Sequence, residues 1–547
     1  MINIRLHTSL AKIFPDEICS GKFSGELYTL KNQRSSFQMS LIDDRDVECT
    51  VSVKSDIAGC ISYYEVKNIP ASHTKPDDAD DYILKKGEPG EYPDALMPVS
   101  DVITLKRGEY KALWFEFDIP SDCSAGCHEV KITVNADGET AEKSLILHIF
   151  DASPAKQKLK YTNWFHTDCL STHYNAEVFG EEYWRIVENF MLTAKKHGVN
   201  MILTPLFTPP LDTEVGGERP TVQLVDVRRD GEKYYFKFDK LERWIDLCDK
   251  CGIKYFEMSH LFTQWGADHA PKIMAQTENG YERIFGWETN ASGKHYTDFI
   301  RQFASALKVF IEKHDIGQRC YFHVSDEPSL QHLLAYRKAA KLVDDVFGEY
   351  NHIDALSDYT FYKLGYIRTP VPIEDRIDDF KGNVPELWTY YCGGPGNNNM
   401  PNRYFCQPSL RNRIIGVIMY VYGVDGFLHW GYNFWYTRQS TAQIDPYKVS
   451  DAGGFFPSGD SYVVYPGEDG TPVCSLRLKV FYDAIQDFTA LQTLERYSDR
   501  EAVTALVEKH LGKVSFSEYS KDENDLLELM REVYSLIESK KTETEKK

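Results

Sequence analysis

The chain has 547 residues, with 82 acidic against 62 basic side chains and a formal charge of −20. A surface this acidic repels nucleic-acid phosphates and anionic membranes, and 42% hydrophobic with 26% charged residues is the balance of a folded globular protein. Aromatic residues reach 13%, and Tyr outnumbers Phe by 34 to 30; phenol rings suit a polar ligand with apolar faces, such as a sugar.

Residues 1–155 alternate apolar and polar positions in short runs: GELYTL, SSFQMSLI, YKALWFEFDIP, HEVKITVNA, KSLILHIF. Turn residues separate them and no helical period intervenes, so an antiparallel β-sandwich is expected. From 156 the rhythm becomes strand then helix. LKYTNWFHT, VNMILTP, IKYFEMSH, RCYFHVSDEP, HIDALSD, ELWTYYC and DGFLHWGYNFWY read as strands. Between most of them lie amphipathic helices such as EEYWRIVENFMLTAKKHG and HYTDFIRQFASALKVFIEKH. With a sixth strand in a less legible stretch, this predicts a (β/α)8 TIM-type barrel over 156–473. Residues 474–547 are expected to be a C-terminal helical segment with a frayed KKTETEKK end. No Gly-rich phosphate loop follows the first strand, so a dinucleotide cofactor is not expected.

The opening MINIRLHTSLAKIFPDE lacks an apolar core of signal-peptide length, and no stretch approaches a membrane span. A cytoplasmic protein with no membrane insertion and reduced thiols is therefore expected. Cys248 and Cys251 end a helical run, and Cys123 and Cys127 sit in a loop-like segment. Neither pair has a second pair at zinc-finger spacing, so no metal is expected.

Catalytic groups of a barrel lie at the C-terminal ends of its strands. The fourth predicted strand ends in Ser325-Asp326-Glu327-Pro328. One explanation is helix capping, since carboxylates satisfy free N–H groups and favour a helix N-terminus. The other is glycoside hydrolysis. A retaining pair must face each other across the sugar at about 5–5.5 Å, whereas neighbours on a strand point to opposite sides. Adjacent acids instead fit a mechanism in which the substrate's 2-acetamido oxygen is the nucleophile. Glu327 then protonates the leaving oxygen and Asp326 steadies the acetamido nitrogen. Glu386, the other acidic candidate, begins its strand and falls at the wrong end of the barrel.

Ten of the chain's Tyr and Trp residues crowd into 388–436. Of these, Tyr390, Trp430, Tyr432 and Trp435 are expected to line the barrel mouth with Asn433. His166 and Asp358, at the ends of the first and fifth strands, join them as candidate substrate-binding residues. His323 reads as an inward barrel-layer residue.

VSDEP, LWTYYC, RNRIIGVIMYVYGVDGFLHWGYNFWY and SGDSYVVYPGEDGTPVCSLRLKVFYDAIQDFTALQTLE together resemble glycoside hydrolase family 123 and its relatives in the domain-of-unknown-function 4091 group. YKALWFEFDIPSDCSAGCHEVKITV resembles their leading β-sandwich. The resemblance implies a retaining, exo-acting β-N-acetylgalactosaminidase using substrate assistance, with Asp326 and Glu327 as the catalytic pair and no cofactor or metal. Its partner is then a glycan with a terminal β-linked N-acetylhexosamine. A β-N-acetylglucosaminidase of the same mechanism, and a catalytically silent glycan-binding barrel, are the alternatives.

Overall fold

A computed structural model describes residues 2–545. Two five-stranded sheets form the N-terminal part. One runs in the order Asn3–Thr8, Arg34–Ile42, Lys111–Asp118, Ile61–Ala71, Gly90–Pro98; the other runs Glu26–Leu30, Glu139–Phe150, Gly126–Ala136, Val47–Lys54, Ile103–Leu105. Strand Gly126–Ala136 shows why they stack. Val130, Ile132 and Val134 are buried while their neighbours face outward, so a period of two delivers one apolar face to the core. Phe37, Phe115 and Leu147 meet that face from the other strands. One expectation needs correcting, because the sandwich is not wholly antiparallel. Edge strand Glu26–Leu30 pairs in parallel with Glu139–Phe150. Only residues 31–33 join it to a strand of the facing sheet, so that crossing fixes its direction.

Eight parallel strands follow: β1 Lys160–Asn163, β2 Met201–Thr204, β3 Tyr255–Met258, β4 Cys320–Phe322, β5 Asn351–Ala355, β6 Thr369–Val371, β7 Trp388–Tyr390 and β8 Gly426–His429. Their order is β6-β5-β4-β3-β2-β1-β8-β7. The ring nearly closes where β6 meets β7 through one bridge, Ile373 to Tyr390, with Tyr390 N donating to Pro372 O at 3.2 Å. Strands covered on both faces are rich in apolar residues, as in Met201, Ile202 and Leu203 of the fully buried β2. Tyr321, Ile353, Trp388 and Leu428 fill the interior. Trp388 fits because position 426 is Gly; a Cβ there would lie 2.2 Å from the indole.

A four-stranded sheet absent from the sequence prediction grows out of the connections after β2 and β3. It comprises Lys233–Lys237, Asp226–Asp230, Ile273–Thr277 and Gly280–Phe285. Tyr234, Phe236 and Phe285 seat it on Phe299 of helix Lys294–Lys313. After β8, helix Leu476–Glu495 is buried on nearly every side, and Arg413 holds its Asp487 through two bonds of 2.7 and 3.0 Å. The last helix, Glu523–Glu545, includes most of the tail expected to fray. Ile537, ahead of that tail, is buried and Lys541 Nζ donates to Asp151 O, while Lys546 and Lys547 lie outside the described residues. Among the described residues no helix is long and apolar enough to cross a membrane. All twelve cysteines are free thiols.

Candidate active site

The acid pair lies just past β4, where the chain leaves the barrel wall. Asp354 of β5 accepts from the backbone N–H of Val324 at 2.9 Å, while Ser325 Oγ donates to Thr263 O at 2.7 Å. Trp265 N donates to Asp326 O at 2.9 Å, and Glu327 N donates to Ala355 O at 2.9 Å. Glu327 has φ +43°, in the left-handed region that a β-carbon disfavours. This turn breaks strand alternation, so both carboxylates line one cavity although they are sequence neighbours. Neither caps a helix. The following helical turn takes Ser329 as its N-cap, in a reciprocal capping box with His332.

The cavity holds about 190 Å³. Trp164, Leu211, Ala355 and Leu428 give it apolar surface, and Trp430, Phe456 and Trp265 add rings. The remaining polar lining comes from His166, Asp212, Gln264, Tyr390 and Asp460. Tyr390 OH donates to Glu327 Oε1 at 2.5 Å, fixing the direction of that carboxyl. Burial, reinforced by the Glu327 charge alongside, pushes the Asp326 carboxyl well above the usual carboxylate range.

Further in, His323 bridges two buried carboxylates, Nε2 to Glu257 at 2.7 Å and Nδ1 to Asp354 at 3.0 Å. Burial opposes its charge, but these bonds outweigh that and hold the imidazole up at about 9. Trp164 Nε1 donates to Glu257 at 2.7 Å, and Tyr336 OH to Asp354 at 2.5 Å. A buried cation with satisfied partners thus underlies the acid pair. His260, His323 and Asp354 bring ligand-type atoms within 4.8 Å of one another. They do not fit a metal ion, because both His323 nitrogens are engaged. The His260 ring also stacks on His323 at 4.1 Å and 22°, so the lone pairs of the two rings lie in separate, nearly parallel planes.

A profile of the glycoside hydrolase 123 catalytic domain matches residues 164–494, more than half of the chain. The chain belongs to glycoside hydrolase family 123. The fold agrees: a family 123 glycoside hydrolase from Clostridium perfringens superposes with a TM-score of 0.75 over 98% of both chains, at 13% identity. A β-glucuronidase from Parabacteroides merdae overlaps 89% of this chain and 52% of its own at 12% identity, with a TM-score of only 0.29. No curated protein sequence matches. The protein is a glycoside hydrolase whose substrate is a glycan.

On this family 123 framework, Asp326, Glu327, His166, Tyr390 and Trp430 all line the one cavity. His166, however, has no nitrogen left for a sugar. Its Nε2 donates to Trp430 O at 2.8 Å and its Nδ1 accepts from Arg219 at 3.1 Å. Burial and the Arg219 charge push it down to about 3, so it stays neutral and braces Trp430. Four expected residues are elsewhere. Tyr432 is buried and donates to Phe190 O at 3.0 Å, and Trp435 packs on Phe190 while donating to Val464 O at 3.2 Å. Asn433 exchanges two bonds with the His166 backbone, at 2.9 and 3.0 Å. Asp358 caps the short helix Tyr359–Lys363 through Thr360 N. The chain turns inward at Gly431, where a Cβ would meet Ser461 O at 2.4 Å, and so 432–435 pack into the core rather than the mouth.

Sequence reasoning passed over Trp164, Asp212, Gln264, Trp265, Phe456 and Asp460. Trp164 had a signal, since it stands two residues before His166, just past the end of β1. Asp460 lies inside SGDSYVV, a segment noted only for its resemblance. It accepts from Trp430 Nε1 at 3.0 Å, and burial raises its carboxyl to about 6. Glu386 is indeed at the far end of the barrel, paired with Lys160 at 2.9 Å where β1 begins.

Proposed function

We propose that the protein is a retaining, exo-acting β-N-acetylgalactosaminidase that uses the substrate's acetamido oxygen as nucleophile. The observation carrying this reading is the presentation of adjacent Asp326 and Glu327 to one cavity, with Glu327 exposed and Asp326 inside. In the first step Glu327 protonates the glycosidic oxygen as the acetamido oxygen attacks the anomeric carbon. The leaving group departs and an oxazolinium ring forms, while Asp326 compensates the charge growing on the acetamido nitrogen. Glu327, now a carboxylate, takes a proton from water as that water opens the ring, and configuration is retained. Tyr390 aims Glu327, and Trp430, held by Asp460 and His166, offers a ring face to the sugar.

Asp460 is a poor rival nucleophile, because Oδ1 is buried out of reach and Oδ2 accepts from Trp430. A terminal sugar fits a cavity of this size better than a long chain does, which supports exo action. The twelve free thiols support a cytoplasmic location. The test is hydrolysis of aryl β-GalNAc, β-GlcNAc and β-Gal glycosides. Cleavage of the GalNAc substrate with the plain galactoside left intact is expected. Preference for GlcNAc changes the sugar assignment alone, equal cleavage of galactoside defeats the mechanism, and binding without cleavage of any leaves a silent glycan-binding barrel.

A further inference from the structure

Of the sixteen residues lining the cavity, only Glu327 and Trp265 are exposed; the rest are buried or partly so. Both therefore stand where the cavity opens. Trp265 keeps 40% of its surface accessible and, among the described residues, makes no ring contact with another aromatic side chain, unlike Trp164 and Trp430. Its position is nonetheless fixed. The N–H of Trp265 donates to Asp326 O at 2.9 Å, and that of Ala267 to Thr263 O at 3.2 Å. Ser325 Oγ, next to the acid pair, holds Thr263 O from the other side at 2.7 Å.

The backbone here is strained. Trp265, Gly266 and Ala267 have φ of +58°, +140° and +60° in succession. A Cβ on Gly266 would approach the His332 ring at 3.0 Å. Strained backbone of this kind persists where surrounding contacts over-determine it, and such places tend to be functional. An exposed indole is also costly to leave in water without a partner.

From these observations we infer that Trp265 is the platform for the leaving group, stacking on the first sugar of the aglycone. The inference rests on the proposed role of Glu327. A general acid lies beside the bond it protonates, and the part of the substrate beyond that bond leads out of the cavity. The ring tied to the acid pair's own backbone and standing at the opening is placed to meet that part. The ligand class is a pyranose or similar apolar-faced ring, not a charged or extended peptide.

The experiment compares kcat/KM for a β-linked N-acetylhexosaminyl disaccharide with that for the methyl glycoside of the same terminal sugar, in wild type, Trp265→Ala and Trp265→Phe. Losing an aromatic stacking face is expected to lower the disaccharide value about tenfold. The methyl glycoside should change by less than about threefold, and Trp265→Phe should restore most of the disaccharide rate. A melting curve confirms that the variants fold. Equal losses on both substrates, or no loss on the disaccharide, overturn the inference while leaving the proposed reaction standing. A wild type that cleaves neither glycoside overturns the reaction, and the platform with it.

Discussion

Replacing Glu327 by Gln separates chemistry from structure cleanly. The side chain is exposed, and an amide oxygen still accepts from Tyr390 OH where the carboxylate does now, at 2.5 Å. The backbone N–H bond to Ala355 O is untouched by the change. Stability should therefore move by no more than about 0.5 kcal/mol. What disappears is the proton. General acid catalysis is worth about 10²–10⁴-fold, or about 3–5 kcal/mol of barrier. That loss should appear in full with a poor leaving group such as a methyl glycoside or a disaccharide. With a dinitrophenyl glycoside, whose leaving group needs no proton, it should shrink to less than about tenfold. Steady-state kcat/KM on the two substrates is the assay. Equal losses on both would refute the assignment of Glu327 as the acid.

Asp326→Asn should impair both substrates alike, because it acts on the acetamido group rather than the leaving group. The same variant should raise Tm near neutral pH. The folded-state carboxyl binds its proton more tightly than an unfolded one at about 3.9, so stability is lost as pH rises through the folded value; the gain should vanish toward pH 4. Asp212 lines the cavity with its Oδ2 accepting from Gln439 N at 2.9 Å, and Asp212→Asn should retain activity within about fivefold; a loss as deep as that of Asp326→Asn would make Asp212 the nucleophile. Trp435→Ala should cost about 3–5 kcal/mol in denaturant unfolding, since the ring is fully buried, with kcat of the folded fraction unchanged. A fall in kcat without a change in stability would return Trp435 to the sugar site.

The barrel was legible because parallel strands covered on both faces leave short apolar runs, as in Met201–Ile202–Leu203, with helices of period 3.6 between them. The sixth strand, Thr369–Val371, is too short to show a period, with Pro370 inside it and Pro372 directly after it. The small sheet around 226–285 escaped for a different reason. Strands such as DVRRD and GYERIF expose half or more of their residues and bury only one each, so no apolar alternation marks them. At the site, Asp326 and Glu327 were legible from their place after a strand, but not the +43° turn that brings both into one cavity. Asp460 and Phe456 arrive from an irregular segment long after β8, and nothing local ties them to the mouth. The aromatic crowding in 388–436 misled in part. Only Tyr390 and Trp430 of that set face the cavity, while Trp388, Tyr391 and Trp435 are core.

The nucleophile is the centre of the mechanism, and its reactivity can be tuned without touching the protein. Replacing the acetamido methyl hydrogens of an aryl substrate by one, two and three fluorines withdraws electrons from the carbonyl oxygen while leaving the sugar almost unchanged in size. If that oxygen attacks the anomeric carbon, kcat/KM falls steeply with each fluorine. A flat series would mean that the acetamido group only binds, and that a side chain or water attacks instead.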